Sequence, residues 1–142
     1  DRLGIRLPPG GHIDRDELPH EAALREVREE TGLDATLITT ETPIRGPHSR
    51  GLPEPAQFMI HDIDVHPDGS VGHQHIDHLY YAHVDSRSIN PLGTDEASPD
   101  LWTWYTQTEL RESSLDPDVI ALGCDAIEAV TNAVSNRSEQ QL

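Results

Sequence analysis

Three glutamates near the end of one predicted helix have the spacing and the chemistry to hold a divalent cation. Glu26, Glu29 and Glu30 stand at positions i, i+3 and i+4, so they share one helix face. The negative end of the helix dipole disfavours anions there, and the carboxylates also repel one another. Oxygen ligands without cysteine favour Mg²⁺ or Mn²⁺, ions that often bridge carboxylates and phosphates. Taken alone, the three acids are still more typical of a solvated helix face, which Arg25 would support by pairing with Glu29.

These glutamates belong to a longer pattern that covers residues 11 to 33. The pattern is Gly-x5-Glu-x7-Arg-Glu-Val-x-Glu-Glu-x-Gly-Leu, and it agrees with the Nudix box at all nine specified positions over 23 residues. A match of this length is highly specific, and it overrides the interpretation as a plain helix face. The sequence therefore resembles the Nudix hydrolases, a family that hydrolyses nucleoside diphosphates linked to another moiety.

The resemblance implies a role for each residue of the pattern. The three glutamates correspond to the metal ligands of the family, and the implied cofactor is Mg²⁺ or Mn²⁺. Arg25 corresponds to the arginine that orients the acidic cluster, and Glu17 to a carboxylate that supports it. Gly11, with Gly10 before it, is expected to let the backbone turn close to the metal, since glycine adopts positive φ freely.

The implied reaction is attack of water on a phosphorus atom of a pyrophosphate link. A bound divalent cation would neutralise the phosphate oxygens and lower the pKa of the attacking water. A carboxylate would take the proton, and the sequence leaves three choices open: Glu26, Glu29, and Glu96 in a later loop. The substrate would be a small nucleotide-linked diphosphate. The alternative is a Nudix-fold module that binds a nucleotide, or regulates, without cleaving.

Secondary-structure signals place this pattern in an α/β fold. Pro19–Thr31 reads as a helix, with proline in its first turn and Gly32 as a left-handed cap. A second helix is predicted from Pro117, and a polar tail over residues 135–142. Predicted strands cover residues 3–7, 35–42, 57–65, 73–84 and 102–105, with an Asp-Gly hairpin turn after the third. The resemblance implies an α/β/α sandwich with a mixed sheet, as one domain over residues 1–134.

Nine histidines are many for a chain of this length, and several cluster. His73, His75 and Asp77 share one face of a predicted strand by the two-residue period. They are predicted to line the substrate site, together with His12 beside the glycine pair. Two alternatives stay open, a polar solvent face and a transition-metal site at the His-x-His pair.

Composition excludes several other classes of protein. The 142 residues carry 26 acids against 10 bases, a formal charge of -16, and all ten bases are arginine. Such a chain repels polymeric nucleic acid and anionic membranes unless cations intervene. No apolar run is long enough to span a membrane. The one cysteine, Cys124, fits a reducing cytoplasm.

The acid excess without lysine has two explanations. It is expected of a halophilic protein in a salt-rich cytoplasm, where screening weakens charge repulsion. The alternative is that the protein is simply acidic and that arginine replaced lysine by neutral drift of codon usage.

Family members have about three times as many residues before the box as the ten that precede Gly11 here. N-terminal strands are therefore expected to lie outside the sequence shown, or to come from a partner subunit in a homodimer.

Overall fold

The computed structural model describes residues 6–140, and their side chains as far as residue 137. The chain forms two compact units. The first contains the chain up to Ile38 and from Ala82 onward, and the second is Thr39–Tyr81. The predicted strand at residues 3–7 lies outside the described residues, apart from Arg6 and Leu7, which are not in a strand.

Helix α1 spans Pro19–Thr31, with the bounds that the sequence predicts. Leu18 precedes it and has no side-chain acceptor, but Glu21 Oε1 accepts the Leu18 N–H at 3.1 Å. Gly32 ends the helix in the left-handed region at φ 74°, and its N–H donates to the carbonyl of Arg28 at 2.8 Å. The buried Ala22 and Leu33 anchor the two ends of this segment in the core of the first unit.

The second unit is built on a long hairpin. Strand β2 (Gln57–Val65) pairs antiparallel with strand β3 (Val71–Leu79). In the connecting turn the Asp68 carboxylate accepts from Ser70, and Gly69 adopts φ 87°. The predicted Asp-Gly turn and the bounds of β2 are confirmed.

The predicted strand at residues 73–84 is two strands. β3 ends at Leu79, and strand β4 (Tyr81–His83) pairs with strand β1 (Thr36–Ile38), which is shorter than the predicted 35–42. The break follows from the change of pairing partner between β3 and β4. Among residues 6–140 the named strands form two two-stranded sheets.

The predicted aromatic strand at residues 102–105 is wrong. These residues are irregular, between a 3₁₀ helix (Pro99–Leu101) and helix α2 (Gln107–Glu112). The Thr106 hydroxyl accepts the Glu109 N–H and the Glu109 carboxylate accepts the Thr106 N–H, each at 3.1 Å. This capping box fixes the start of α2 and was missed in the sequence.

Helix α3 (Pro117–Gln140) completes the first unit. It runs through residues 135–140, where a polar tail was predicted. Leu110 of α2 is buried and lies against Gly123 of α3, where an added Cβ would come within 2.8 Å of Leu110 Cδ1. Gln107 Nε2 also donates to the carbonyl of Cys124 at 3.0 Å.

None of the helices in the described part of the chain combines the length and the apolar character needed to cross a lipid bilayer.

Candidate active site

Arg25 stands at the centre of the predicted site and joins its acids. Its Nε donates to Glu17 Oε2 at 2.8 Å, and its Nη1 donates to Glu26 Oε1 at 2.8 Å and to Glu29 Oε2 at 3.2 Å. Its Nη2 reaches Glu17 Oε1 at 3.1 Å. A planar guanidinium with several donors suits this arrangement, whereas a lysine ammonium is a single point of charge. The arginine therefore holds two of the three predicted metal ligands in place.

The loop before α1 is tied to the same guanidinium. Arg25 Nη2 donates to the main-chain carbonyl of His12 at 2.9 Å, and Nε lies 3.6 Å from the carboxylate of Asp14. Glu17 Oε1 also accepts the Asp14 N–H at 3.0 Å. The hydrogen bonds from Arg25, followed by that from Asp14, hold the pKa of Glu17 below its usual range. Glu17 thus links the loop to Arg25, and its supporting role stays a prediction. Asp14 is a further acid beside Arg25 that the sequence did not single out.

The two glycines before this loop serve the site in different ways. Neither Gly10 nor Gly11 has positive φ, so the expected reason for glycine was wrong. An added Cβ at Gly11 would come within 2.3 Å of Glu26 Oε1, so the Glu26 carboxylate occupies the space that a side chain would take. The Gly10 N–H donates to Glu30 Oε2 at 3.1 Å. The loop backbone thus positions two of the glutamates on α1.

The pKa of Glu30 is changed by its burial and by the negative charge around it. Burial, followed by repulsion from Glu26, Glu96 and Glu29, raises the pKa of Glu30 to about 7, although the hydrogen bond from Gly10 opposes the rise. The structure therefore brings Glu96 close enough to the helix acids to act on one of them. The roles of these four carboxylates as a base and a ligand set stay predictions.

A loop after β4 docks on the C-terminal end of α1. The Leu92 N–H donates to the carbonyl of Glu29 at 2.9 Å, and the Asn90 N–H donates to the carbonyl of Thr31 at 2.8 Å. Gly32 lies against this loop, because an added Cβ there would come within 2.0 Å of the Asn90 carbonyl oxygen. These bonds satisfy carbonyls that a helix end leaves without partners. They also fix the loop that carries Glu96, and no sequence signal predicts them.

The residues present fit a hard divalent cation. The site offers carboxylate oxygens and concentrates charge at the negative end of a helix. The pKa of Glu30 is raised by burial and then by repulsion from neighbouring carboxylates. Within residues 6–140, no three His, Cys, Asp or Glu side chains are already grouped closely enough to hold a metal ion. The carboxylates thus lie in one part of the structure, but they do not form a complete coordination site.

The predicted substrate-binding residues lie in two places. His12 meets Arg25 through its main-chain carbonyl, in the first unit. His73, His75 and Asp77 lie on β3, in the second unit, and share one face there. Their role in substrate binding stays a prediction.

Comparisons with known proteins identify the protein family. The NUDIX domain model matches residues 4–122, and the chain belongs to the Nudix family. The α/β Nudix fold predicted from the sequence is confirmed by a crystal structure of a Nudix-family hydrolase from Clostridium perfringens. That structure has a TM-score of 0.74 and 28% identity, over 91% of this chain and 84% of that chain.

A curated relative is similar over a shorter stretch. An RNA pyrophosphohydrolase from Novosphingobium aromaticivorans is 44% identical over 54 residues, which is 38% of this chain. The match spans about a third of that relative's length, 33%.

Proposed function

We propose that the chain is a Mg²⁺- or Mn²⁺-dependent Nudix pyrophosphohydrolase that cleaves the pyrophosphate bond of a nucleoside diphosphate linked to another moiety. The observation that carries the proposal is the Arg25 network. One guanidinium holds Glu26 and Glu29 on α1 and Glu17 on the preceding loop. A helix bearing several acids at its negative end is unfavourable by itself, and a cation bound to a diphosphate explains why they are gathered there.

The side chains have distinct tasks in this proposal. Glu26, Glu29 and Glu30 would hold the cation, which when bound would neutralise the diphosphate and lower the pKa of a nearby water. Arg25 keeps the carboxylates of Glu26 and Glu29 oriented. The Gly10 N–H fixes one oxygen of Glu30, so the other is available for ligation.

The proton of the attacking water would pass to a carboxylate. Glu26 and Glu29 already accept hydrogen bonds from Arg25, so one oxygen of each is occupied. Glu96 comes from a loop that is fixed to α1 by backbone hydrogen bonds, and its charge reaches Glu30. This arrangement favours Glu96 as the general base, with Glu26 and Glu29 as the alternatives.

The substrate class follows from the cation and from the charge of the protein. A chain of formal charge -16 needs a cation to accept a polyanion. We propose small nucleotide-linked diphosphates, among them nucleotide sugars, ADP-ribose, oxidised nucleoside triphosphates and dinucleoside polyphosphates. The RNA pyrophosphohydrolase relative adds RNA that carries a pyrophosphate link to the candidates, against the expectation from charge.

Three further expectations stand beside this proposal. His12, His73, His75 and Asp77 would contact the substrate, residues 1–134 would act as one domain, and the protein would be a homodimer. Limited proteolysis and light scattering on a sizing column test the last two.

A nucleotide-binding module without catalysis is the alternative function. An intact set of acids with their arginine argues against it, because a binder does not require three mutually repelling carboxylates on one helix. Turnover distinguishes the two directly.

The test is a substrate panel with Mg²⁺ or Mn²⁺, assayed for phosphate and nucleotide release. We expect turnover of at least one substrate by the wild type. Glu29→Gln should lower the rate on the order of 100-fold, the size of effect found when one electrostatic contact to a transition state is removed.

Glu128→Gln is the matched control, because it makes the same change at an exposed helical position of α3. It should leave the rate unchanged. Equal turnover by the wild type and Glu29→Gln, or nucleotide binding without any turnover, would favour the binding module.

A further inference from the structure

One face of the β2–β3 hairpin carries three imidazoles and a carboxylate. These side chains take part in no chemical step of the proposed reaction. We name His61, His73, His75 and Asp77 the histidine face. The last three stand two residues apart along β3, and His61 of β2 is paired directly opposite His75. All four residues lie in the hairpin unit, Thr39–Tyr81.

Two of the imidazoles present their Nε2 atoms to each other. His73 Nε2 lies 2.9 Å from His75 Nε2, with the rings edge to face at 79°. A hydrogen bond at this distance needs a lone pair on one of the two nitrogens. Two imidazole ligands of one metal ion, each about 2.0–2.1 Å from it, lie roughly 2.9–3.4 Å apart. A cation could therefore replace the shared proton after small ring movements.

The other two members support a cation on this face. His61 Nδ1 contacts the carboxylate of Asp77, and both side chains are about one third exposed, 34% and 37%. The negative charge of Asp77 favours a cation nearby.

We propose that His73 and His75 chelate one divalent transition-metal ion, of the Zn²⁺ or Ni²⁺ class, on the histidine face. Imidazole suits these ions, whereas Mg²⁺ prefers oxygen ligands, so this site differs in selectivity from the acids on α1. No set of three potential ligands is grouped anywhere in residues 6–140. The protein therefore supplies two ligands, and water completes the coordination.

The test is a calorimetric titration of untagged full chain with Zn²⁺ or Ni²⁺ in excess Mg²⁺, which occupies the oxygen ligands elsewhere. We expect saturable binding of one equivalent. His73→Asn and His75→Asn should each weaken it at least roughly tenfold, the lower end of what altering a metal site costs. Circular dichroism of each variant checks that the hairpin still folds.

His48→Asn is the matched control, since it removes an exposed histidine that lies outside the histidine face. It should bind as the wild type does. Glu29→Gln should also keep the transition-metal site, which separates this inference from the proposed function. Zinc anomalous scattering, or nickel-induced broadening of the His73 and His75 ring signals, would locate the ion.

Three results would overturn the inference. They are the absence of saturable binding by the wild type, equal loss in His48→Asn and His73→Asn, and loss of binding in Glu29→Gln. The first would leave the two imidazoles as a hydrogen-bonded pair only.

Discussion

At the scale of single residues, the site depends on the guanidinium of Arg25, which binds several carboxylates. Arg25 donates to three carboxylates and to one main-chain carbonyl, and the hydrogen bonds to Glu17 and Glu26 raise the pKa of Arg25 above its already high value. Two of these acids, Glu26 and Glu29, lie on α1, and Glu17 lies on the loop before it. The orientation of the cluster therefore depends on the shape of the guanidinium as well as on its charge.

The first prediction concerns that shape. Arg25→Lys keeps the charge but cannot maintain the separate hydrogen bonds to Glu17, Glu26 and Glu29. Loss of partners that orient metal ligands typically lowers affinity or activity about 10–100-fold, and we expect a decrease in kcat/KM within that range. The measurement is steady-state hydrolysis across a series of Mg²⁺ concentrations.

Arg111→Lys, at an exposed position of α2, is the control and should behave as the wild type. If Arg25→Lys had the same kcat/KM as Arg111→Lys, the shape of the guanidinium would not matter for activity.

The second prediction concerns the space beside Glu26. Gly11→Ala would place a Cβ within 2.3 Å of the Glu26 carboxylate, which must then move. We expect Mg²⁺ affinity to fall at least roughly tenfold, because one ligand is displaced. Gly10→Ala is the control, since its added Cβ meets nothing within 4 Å and its N–H is retained. Similar Mg²⁺ affinity in the two variants would show that this contact is unimportant.

At the scale of elements, α1 and the loop that follows β4 form one working unit. The loop donates backbone hydrogen bonds to the last carbonyls of α1, and it carries Glu96 toward the acids on that helix. Gly32 permits this docking in two ways, through its left-handed φ and through its missing side chain. The end of the helix and the position of the candidate base are therefore coupled.

The third prediction separates these two effects of Gly32. Gly32→Ala and Gly69→Ala both force alanine into a left-handed conformation, which costs about 1–3 kcal/mol. Gly69 has open space around its added Cβ, whereas a Cβ added at Gly32 would come within 2.0 Å of the Asn90 carbonyl oxygen. We expect Gly32→Ala to lose more unfolding free energy than Gly69→Ala in chemical denaturation. We also expect it to lose activity, which Gly69→Ala should keep. Equal losses of stability and activity would argue against a docked loop.

Sequence predicts some elements well because their signals are local. α1 has proline in its first turn and a glycine cap at its end, and β2 has clear flanking breaks, so the bounds of both were predicted correctly. The aromatic residues 102–105 resemble a strand by composition, but they have no strand partner in the structure. The nearby capping box at Thr106 and Glu109 was a readable signal for α2.

Other features depend on contacts between distant parts of the chain. The Nudix pattern identifies Arg25 and its acids, but it does not reveal that Asp14 joins them. Nor does it reveal that the loop containing Asn90 docks on α1, because those hydrogen bonds use main-chain groups that every residue has. The split of residues 73–84 into two strands likewise follows from pairing partners that lie far apart in sequence.

At the scale of the whole molecule, the composition is dominated by acid. Acidic side chains outnumber arginines by 26 to 10, which gives the formal charge of -16, and there is no lysine. Mutual repulsion of such charges destabilises the folded state at low ionic strength. Salt shortens the range of this repulsion to a few ångström at molar concentration, about 3 Å at 1 M.

The fourth prediction follows from that repulsion. The melting temperature should rise between 0.1 and about 3 M KCl, because the Debye length falls from about 10 Å to less than 3 Å over this range. The measurement is differential scanning calorimetry in KCl, with the same series repeated in sucrose to separate screening from solvent exclusion. A melting temperature that does not rise with KCl would favour compositional drift over adaptation to salt.

The central claim is that the acids on α1 bind a divalent cation together with a diphosphate. Calorimetric titration of Mg²⁺ or Mn²⁺, with a non-hydrolysable nucleotide diphosphate present, measures this most directly. We predict saturable binding by the wild type and by Glu128→Gln, and binding at least roughly tenfold weaker in Glu29→Gln. No detectable binding by the wild type, or equal binding by all three proteins, would contradict the claim.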